Sequence, residues 1–227
     1  MERVADRTYR LGSRWVNWYV VEDGGGRLTL IDTGYPGYYA PLAPGLASIG
    51  RTVGDIAAIA LTHAHSDHLG SVARLHEESG ARVLAHPADA DAARAGHPKP
   101  PPSFFAEAWR PRFARYLVHA LANGATSIAG VPALETFSDG DELDVPGRPR
   151  VIHTPGHTPG HCAFLLEERG VLFSGDALVT LDSATGRTGP QPIRWNDEPD
   201  QAAASYERLR NIAAEVVLPG HGEPWRR

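Results

Sequence analysis

Short apolar runs recur along the chain, and their spacing separates strands from helices. Residues 14–21 (RWVNWYVV) are rich in aromatic and β-branched side chains, which predicts a strand. A Gly24-Gly25-Gly26 turn follows, and residues 27–31 (RLTLI) read as the returning strand of a hairpin. Residues 56–61 (IAAIAL) form a continuous apolar run, consistent with a buried strand that ends at Thr62-His63. From 67 or 68 to 79 the pattern turns helical, with Leu69, Val72, Ala73 and Leu75 on the apolar side. Residues 82–85, 150–153, 162–166, 171–174 and 216–218 predict further short strands. Residues 38–49, 87–96, 103–122 and 201–214 predict helices, the third interrupted at Pro111. A Pro-rich break covers 97–102. Residues 131–145 read as a hairpin around Asp139-Gly140-Asp141, and 178–198 as a long loop. Strands thus come first in hairpins and then alternate with helices, an order that fits two packed sheets with helices outside.

Composition narrows the function. A net charge of −5, with arginines scattered rather than clustered, gives no footprint for nucleic acid. No run is long and apolar enough to predict a membrane span. The first residues, MERVADRTYRLG, lack the apolar core of a leader, and one cysteine allows no intrachain disulfide, so a cytoplasmic setting is expected. Cys162 opens an apolar strand and reads as a buried, inert thiol. The eleven histidines are in excess for this length, which matters only if they converge.

Several do sit where convergence is possible. His63-Ala64-His65-Ser66-Asp67-His68 places four metal-ligating side chains between a buried strand and a helix, where the backbone can curl them toward one spot. His157 and His161 lie in the Gly/Pro-rich turn 154–161, which fixes a ligand with little entropy left to lose. Asp176 follows the apolar strand of 171–174, and His221 follows the final strand. All these candidates fall just past strand ends. His76, His86, His97, His119 and His153 read as ordinary histidines.

The motifs LIDTG (30–34), THAHSDHLG (62–70), HTPGHTPGH (153–161), FSGDA (173–177) and LPGHG (218–222) resemble, in kind and order, those of the metallo-β-lactamase superfamily of hydrolases. The resemblance spans essentially the whole chain. It implies an α/β fold, a four-layer αββα sandwich of two mixed β-sheets flanked by helices, as a single domain over 1–227 with a helical cap-like insertion around 87–130. It implies two divalent metal ions, zinc by default, with manganese, iron or cobalt also suited to imidazole and carboxylate ligands. His63, His65 and His157 would hold the first, Asp67, His68 and His221 the second, and Asp176 would bridge them. Asp67 would also orient the attacking hydroxide, and Asp32 would support the site from beneath. His161 reads as a support or packing residue.

The implied activity is hydrolysis of a carboxylic ester, lactone or thioester by a metal-bridging hydroxide. β-Lactam hydrolysis on the same site and a mononuclear-iron, persulfide-dioxygenase-like chemistry are the alternatives. The short tail after His221 departs from the glyoxalase II-like thioesterases, and Ala177-Leu178-Val179 lacks the tyrosine of homoserine-lactone hydrolases. The expected partner is a small-molecule substrate, with the chain a monomer or homodimer. The aromatic stretch from Phe104 to Tyr116 is expected either to pack on the core or to cap the cleft, and Tyr35, Tyr38 and Tyr39 to line its mouth.

Overall fold

Period-two alternation of side chains decides the architecture. A computed structural model of the chain describes residues 1–96, 102–131 and 133–227. Seven strands form one sheet in chain order: β1 (Glu2–Ala5), β2 (Thr8–Gly12), β3 (Asn17–Glu22), β4 (Leu28–Ile31), β5 (Ile56–Ala60), β6 (Arg82–Ala85) and β7 (Glu135–Thr136). Neighbours from β1 to β4 pair antiparallel, and those from β4 to β7 parallel. The second sheet uses β8 (Arg150–His153), β9 (Cys162–Leu166), β10 (Val171–Gly175), β13 (Val216–Pro219) and β14 (Trp225–Arg226), in the order β14-β13-β10-β9-β8, with only β10 and β13 parallel. Between β10 and β13 the chain makes a separate antiparallel pair, β11 (Val179–Leu181) and β12 (Thr188–Gln191).

Three buried clusters lie between four layers. Tyr19, Val21, Ala58, Ala60 and Leu84 of the first sheet face Cys162, Phe164, Val171, Phe173, Val216 and Leu218 of the second. The intervening residues of the first sheet, Trp18, Val20, Leu30, Ile59 and Val83, point the other way. They meet α1 (Leu42–Ala47), α2 (Ser66–Leu69), α3 (Val72–Ser79), α4 (Ala90–Ala95) and α6 (Pro111–Ala122) through Leu42, Leu46, Leu69, Leu75, Ala93 and Phe113. On the far face Ala163, Leu165, Leu172 and Val217 pack on Leu209 of α7 (Pro199–Arg210). Each fully buried Leu or Phe is worth about 1.5–3 kcal/mol of transfer free energy, so a one-residue slip of any central strand would lose two layers at once. This is the αββα sandwich with mixed sheets that the motif resemblance implied.

The local readings hold with informative exceptions. The strand expected at 14–21 begins only at Asn17. The helix read from 67 or 68 to 79 is two helices, because Gly70 and Ser71 donate their N–H groups to Gly34 O and Thr33 Oγ1 instead of to a helical carbonyl. The break expected at Pro111 is real: Pro111 is the first residue of α6, after the short α5 (Pro102–Phe105). Among the described residues, the hairpin expected at 131–145 does not form. Asp139 and Asp141 capture the N–H groups of His153 and Ser138, and β7 pairs parallel with β6, leaving a single bridge from Glu142 to Arg150. The 178–198 loop carries the β11–β12 pair. β1, β2 and β14 had no signal in the apolar pattern. His97 and all but the last residue of the Pro-rich break lie outside the described residues. Among the described residues, no helix is long and apolar enough to cross a membrane.

Candidate metal centre

Strand ends carry the site, as the sequence predicts. His63 and His65 follow β5, His157 follows β8, Asp176 follows β10 and His221 follows β13. Asp67 and His68 lie on the one-turn helix α2. All seven come together. Ligand-capable atoms of His63, His65 and His157 lie within 4.8 Å of one another, as do those of Asp67, His68 and His221, and those of His63, His68 and Asp176. Asp176 reaches both groups: Oδ2 is 3.4 Å from His157 Nε2 and 3.1 Å from His221 Nε2, and Oδ1 is 3.6 Å from His68 Nε2. Gly220 makes this possible, because a Cβ there would overlap Asp176 Oδ1.

The outer nitrogens of the histidines are held by the protein. His63 Nδ1 meets Thr62 Oγ1 at 3.0 Å and His68 Nδ1 meets Asp32 Oδ2 at 2.8 Å. His157 Nδ1 donates to the carbonyl of Trp195 at 2.7 Å, and His221 Nδ1 to that of Trp15. Each bond fixes the ring and turns Nε2 inward. The inward atoms are poorly served by protein: His68 Nε2, His157 Nε2 and Asp176 Oδ1 are buried without a hydrogen-bond partner. His63 Nε2 and His65 Nδ1 face each other at 3.1 Å. Unserved buried polar atoms cost about 1–3 kcal/mol each, so a convergent set of them fits a cation and not a structural core. The donor set of imidazole nitrogens and carboxylate oxygens suits a zinc-like dication.

The two halves differ in charge. Burial, then the neighbouring histidines, hold His63 well below the usual imidazole range, and burial and His65 bring His157 down to about 4. Burial opposes the charge of His68 and His221 too. There, however, it is overcome: Asp32, Asp176 and Asp67 lift His68 to about 10, and chiefly Asp176 and Asp67 lift His221 to about 9. Burial raises the Asp176 carboxyl, yet His221, His68 and His157 outweigh it and hold it well below the usual carboxylate range.

Four supports complete the site. Asp32 accepts from Thr62 N and Oγ1, each at 2.8 Å, as well as from His68. Its φ of +61° is strained for a residue with a Cβ, a cost of about 1–3 kcal/mol that these bonds offset. His161 has no free nitrogen: Nε2 accepts from Asp176 N–H at 2.9 Å and Nδ1 meets Thr154 Oγ1 at 2.8 Å. The sequence reading missed the other two. Asp89 is buried and accepts from Ala64 N, Thr158 Oγ1 and Gly160 N, tying the His63–His65 loop to the His157 turn. Tyr116 on α6 donates to Asp67 Oδ2 at 3.2 Å. An acidic residue just past the 82–85 strand was the available signal for Asp89; nothing local marks Tyr116. The Trp15 and Trp195 carbonyls carry no side-chain signal at all. Cys162 is buried, and burial raises its thiol pKa, as expected of an inert cysteine.

A cavity of about 460 Å³ opens above the centre. His65, Asp67, His157, Asp176 and His221 form its floor, and Phe104, Phe105, Leu117, Leu121, Ile193 and Trp195 much of its wall. Phe104 does both things expected of the aromatic stretch: it lines this cavity and packs on Phe113 and Trp195, with ring centroids 4.9 Å away in each case. Of the three early tyrosines, Tyr35 alone is among the lining residues; Tyr38 bonds Ser13 and His119, and Tyr39 bonds Glu78 at the surface.

A sequence model of the family described as Metallo-beta-lactamase superfamily matches residues 13–221. The chain belongs to this superfamily. Among its superfamily relatives, the chain is 29% identical over 222 residues to the protein YobT of Bacillus subtilis (strain 168), covering 92% of this chain and 83% of that one. It is 33% identical over 183 residues to a hydroxyacylglutathione hydrolase of Jannaschia sp. (strain CCS1), covering 80% of this chain but 53% of the relative, so it spans about half of that enzyme's length. A metallo-beta-lactamase family protein from Thermus thermophilus is similar at a TM-score of 0.68 and 28% identity, over 99% of this chain and 76% of that one. A metallo-beta-lactamase of Cronobacter sakazakii, mutated in its HARLDQ motif, shares the fold at a TM-score of 0.70 and 22% identity, over 96% and 79%. Members of the superfamily are generally metal-dependent hydrolases.

Proposed function

We propose that the centre holds two divalent cations, zinc by default, and hydrolyses a carboxylic ester, lactone or thioester. His63, His65 and His157 would hold one cation, Asp67, His68 and His221 the other, and Asp176 would contact both. The observation that carries this reading is the Asp176 carboxylate, which reaches toward the nitrogens of both histidine groups while Oδ1 has no protein partner. Bound there, the cations would supply a water acidic enough to ionise near neutral pH and a Lewis acid for the substrate carbonyl.

The chain's own residues do the rest. Asp67 receives Tyr116 at Oδ2, which leaves Oδ1 to accept a hydrogen bond from the attacking water and aim it. Asp32 and the Trp15 and Trp195 carbonyls hold the rings of His68, His221 and His157 against rotation. The α5–α6 segment, with Trp195, caps the cavity and excludes water from the acyl side of the substrate. Its carbon-rich wall favours an apolar acyl or aryl group. The hydroxyacylglutathione hydrolases among the relatives support thioesters as one member of this substrate class. A mononuclear-iron reading leaves Asp67 and His221 without a task, so it is the weaker one.

Metal analysis and a panel of aryl esters, lactones, thioesters, β-lactams and phosphodiesters test the proposal together. Two equivalents of metal per chain with turnover of a carbonyl substrate is the expected result. One iron per chain with oxygen consumption would overturn it.

A further inference from the structure

Every histidine of the centre except His65 has its outer nitrogen bonded to a group close to the strand ends. Asp67 is different. Among the described residues its side chain has one hydrogen-bond donor, the Tyr116 hydroxyl, from a helix 49 residues further along the chain. A carboxylate can only accept, so the Tyr116 O–H points at Asp67 Oδ2 and its oxygen is left to accept in turn. Tyr35 Oη lies 3.0 Å away and fills that role. The result is an ordered chain, Tyr35 to Tyr116 to Asp67, that begins beside the Asp32-Thr33-Gly34 turn and ends in the metal centre.

We propose that Tyr116 is a positioning residue for the second cation: with Tyr35 behind it, its hydroxyl sets the aim of Asp67 and joins the α6 wall of the cavity to that half of the centre. This rests on the two-cation reading above. Three observations support it. First, Asp67 Oδ2 is 3.5 Å from His221 Nε2 and Oδ1 is 3.9 Å from His68 Nε2, so a modest rotation of the carboxylate would turn one oxygen away from the other two ligands. Second, the Tyr116 ring is held without its hydroxyl, by Phe113 (centroids 5.7 Å, planes 25° apart) and Trp15 (5.8 Å). The hydroxyl therefore has a task separable from packing. Third, Tyr35 and Tyr116 both line the cavity above the centre, so the relay connects the surface a substrate touches to a proposed cation ligand.

The test is a titration of the metal-free chain with Co2+, followed by calorimetry and by the visible d–d bands, for the unmodified protein and for Tyr116→Phe and Tyr35→Phe. Phenylalanine keeps the ring packing, and the thermal unfolding midpoint of each metal-free variant verifies that the fold is intact. The unmodified chain is expected to take up two equivalents. Tyr116→Phe should weaken only one of them, by about 10- to 100-fold, the range for loss of a group that orients a ligand. Tyr35→Phe should weaken the same equivalent by less. Unchanged binding of both equivalents in Tyr116→Phe would overturn the proposal, as would an equal weakening of both, which would mark a general structural role. A single equivalent bound by the unmodified chain would instead bring down the two-cation reading, and this proposal with it.

Discussion

The two halves of the centre are built from opposite materials. His63, His65 and His157 sit on two loops clamped together by Asp89, which bonds mainly to backbone and lies outside the ligand cluster. Their histidines carry depressed pKa values and are neutral at pH 7 even without a cation. The other half is braced by side chains that carry or share charge: Asp32 behind His68, Tyr116 on Asp67, Asp176 beside His221. Its histidines hold protons at pH 7 when no cation replaces them. On the two-cation proposal, the first half would take its cation with little competition from protons, whereas the second would have to exchange protons for it and would respond to pH.

Asp176 stands between the halves, so changing it should erase the difference. Asp176→Asn is expected to lose both cations, and hydrolysis should fall by more than the roughly 100-fold typical of changes beyond the ligands themselves. Metal content after gel filtration and kcat/KM on the best carbonyl substrate are the measurements. Retention of one tightly bound cation would show that the halves are independent.

Asp89→Asn should break the first half alone. Asparagine offers one acceptor oxygen where the aspartate receives three hydrogen bonds through two, and its NH2 would face a backbone N–H. We expect about 1–3 kcal/mol lower stability in chemical unfolding. Cation affinity should drop about 10- to 100-fold, confined to the equivalent that Tyr116→Phe leaves untouched. If both variants weaken the same equivalent, the division into two halves is wrong.

The contrast in protonation gives a smaller and sharper effect. Both His68 and His221 must deprotonate to use Nε2 as a ligand, and their raised pKa values, about 10 and about 9, mean that protons oppose binding at neutral pH. Affinity in this half should therefore rise as pH rises, by up to about tenfold per pH unit for each proton released, and level off near the higher of the two values. Filling both halves at pH 7 should release about two protons from His68 and His221, and up to about one more from the ionising water, read from calorimetry in buffers of different ionisation enthalpy. Release of about one proton or fewer would mean that the two halves do not differ in charge.

How much of this was legible beforehand follows from which interactions are local. The apolar runs read at 14–21, 56–61, 162–166 and 171–174 name the strands Asn17–Glu22, Ile56–Ala60, Cys162–Leu166 and Val171–Gly175, because an apolar run is a property of consecutive residues. The clustered residues were legible for a related reason: His63, His65, His157, Asp176 and His221 follow strand ends, and Asp67 and His68 open the next helix. β1 and β2 were not, since Glu2–Ala5 and Thr8–Gly12 mix charge with a few apolar positions, and their pairing depends on β3. The expected hairpin at 131–145 failed because two aspartates bond across to neighbouring backbone. Asp89 and Tyr116 reach their partners over 25 to 71 residues and over 49, which no local window contains. His63, His65, His157, Asp176 and His221 lie where the chain leaves a strand, whereas Asp89 and Tyr116 lie where the fold brings distant segments together.

The cavity wall offers the smallest effect and bears on the side of the comparison that Tyr116 connects to the substrate. If Phe104, Leu117, Leu121 and Ile193 receive an acyl chain, each added methylene should contribute roughly 0.8 kcal/mol of transfer free energy when fully buried, a rise of about fourfold in kcat/KM per methylene. A series of aryl esters from acetyl to octanoyl should climb and then flatten when the 460 Å³ cavity is full. Leu121 is exposed at its mouth, so Leu121→Glu should lower kcat/KM only for the longer esters, by about threefold, and leave the acetyl ester and the metal content as they were. A flat series would mean that the apolar wall does not touch the acyl group. In that case the link from α6 through Tyr116 to Asp67 would tune the cation alone, with no part in reading the substrate.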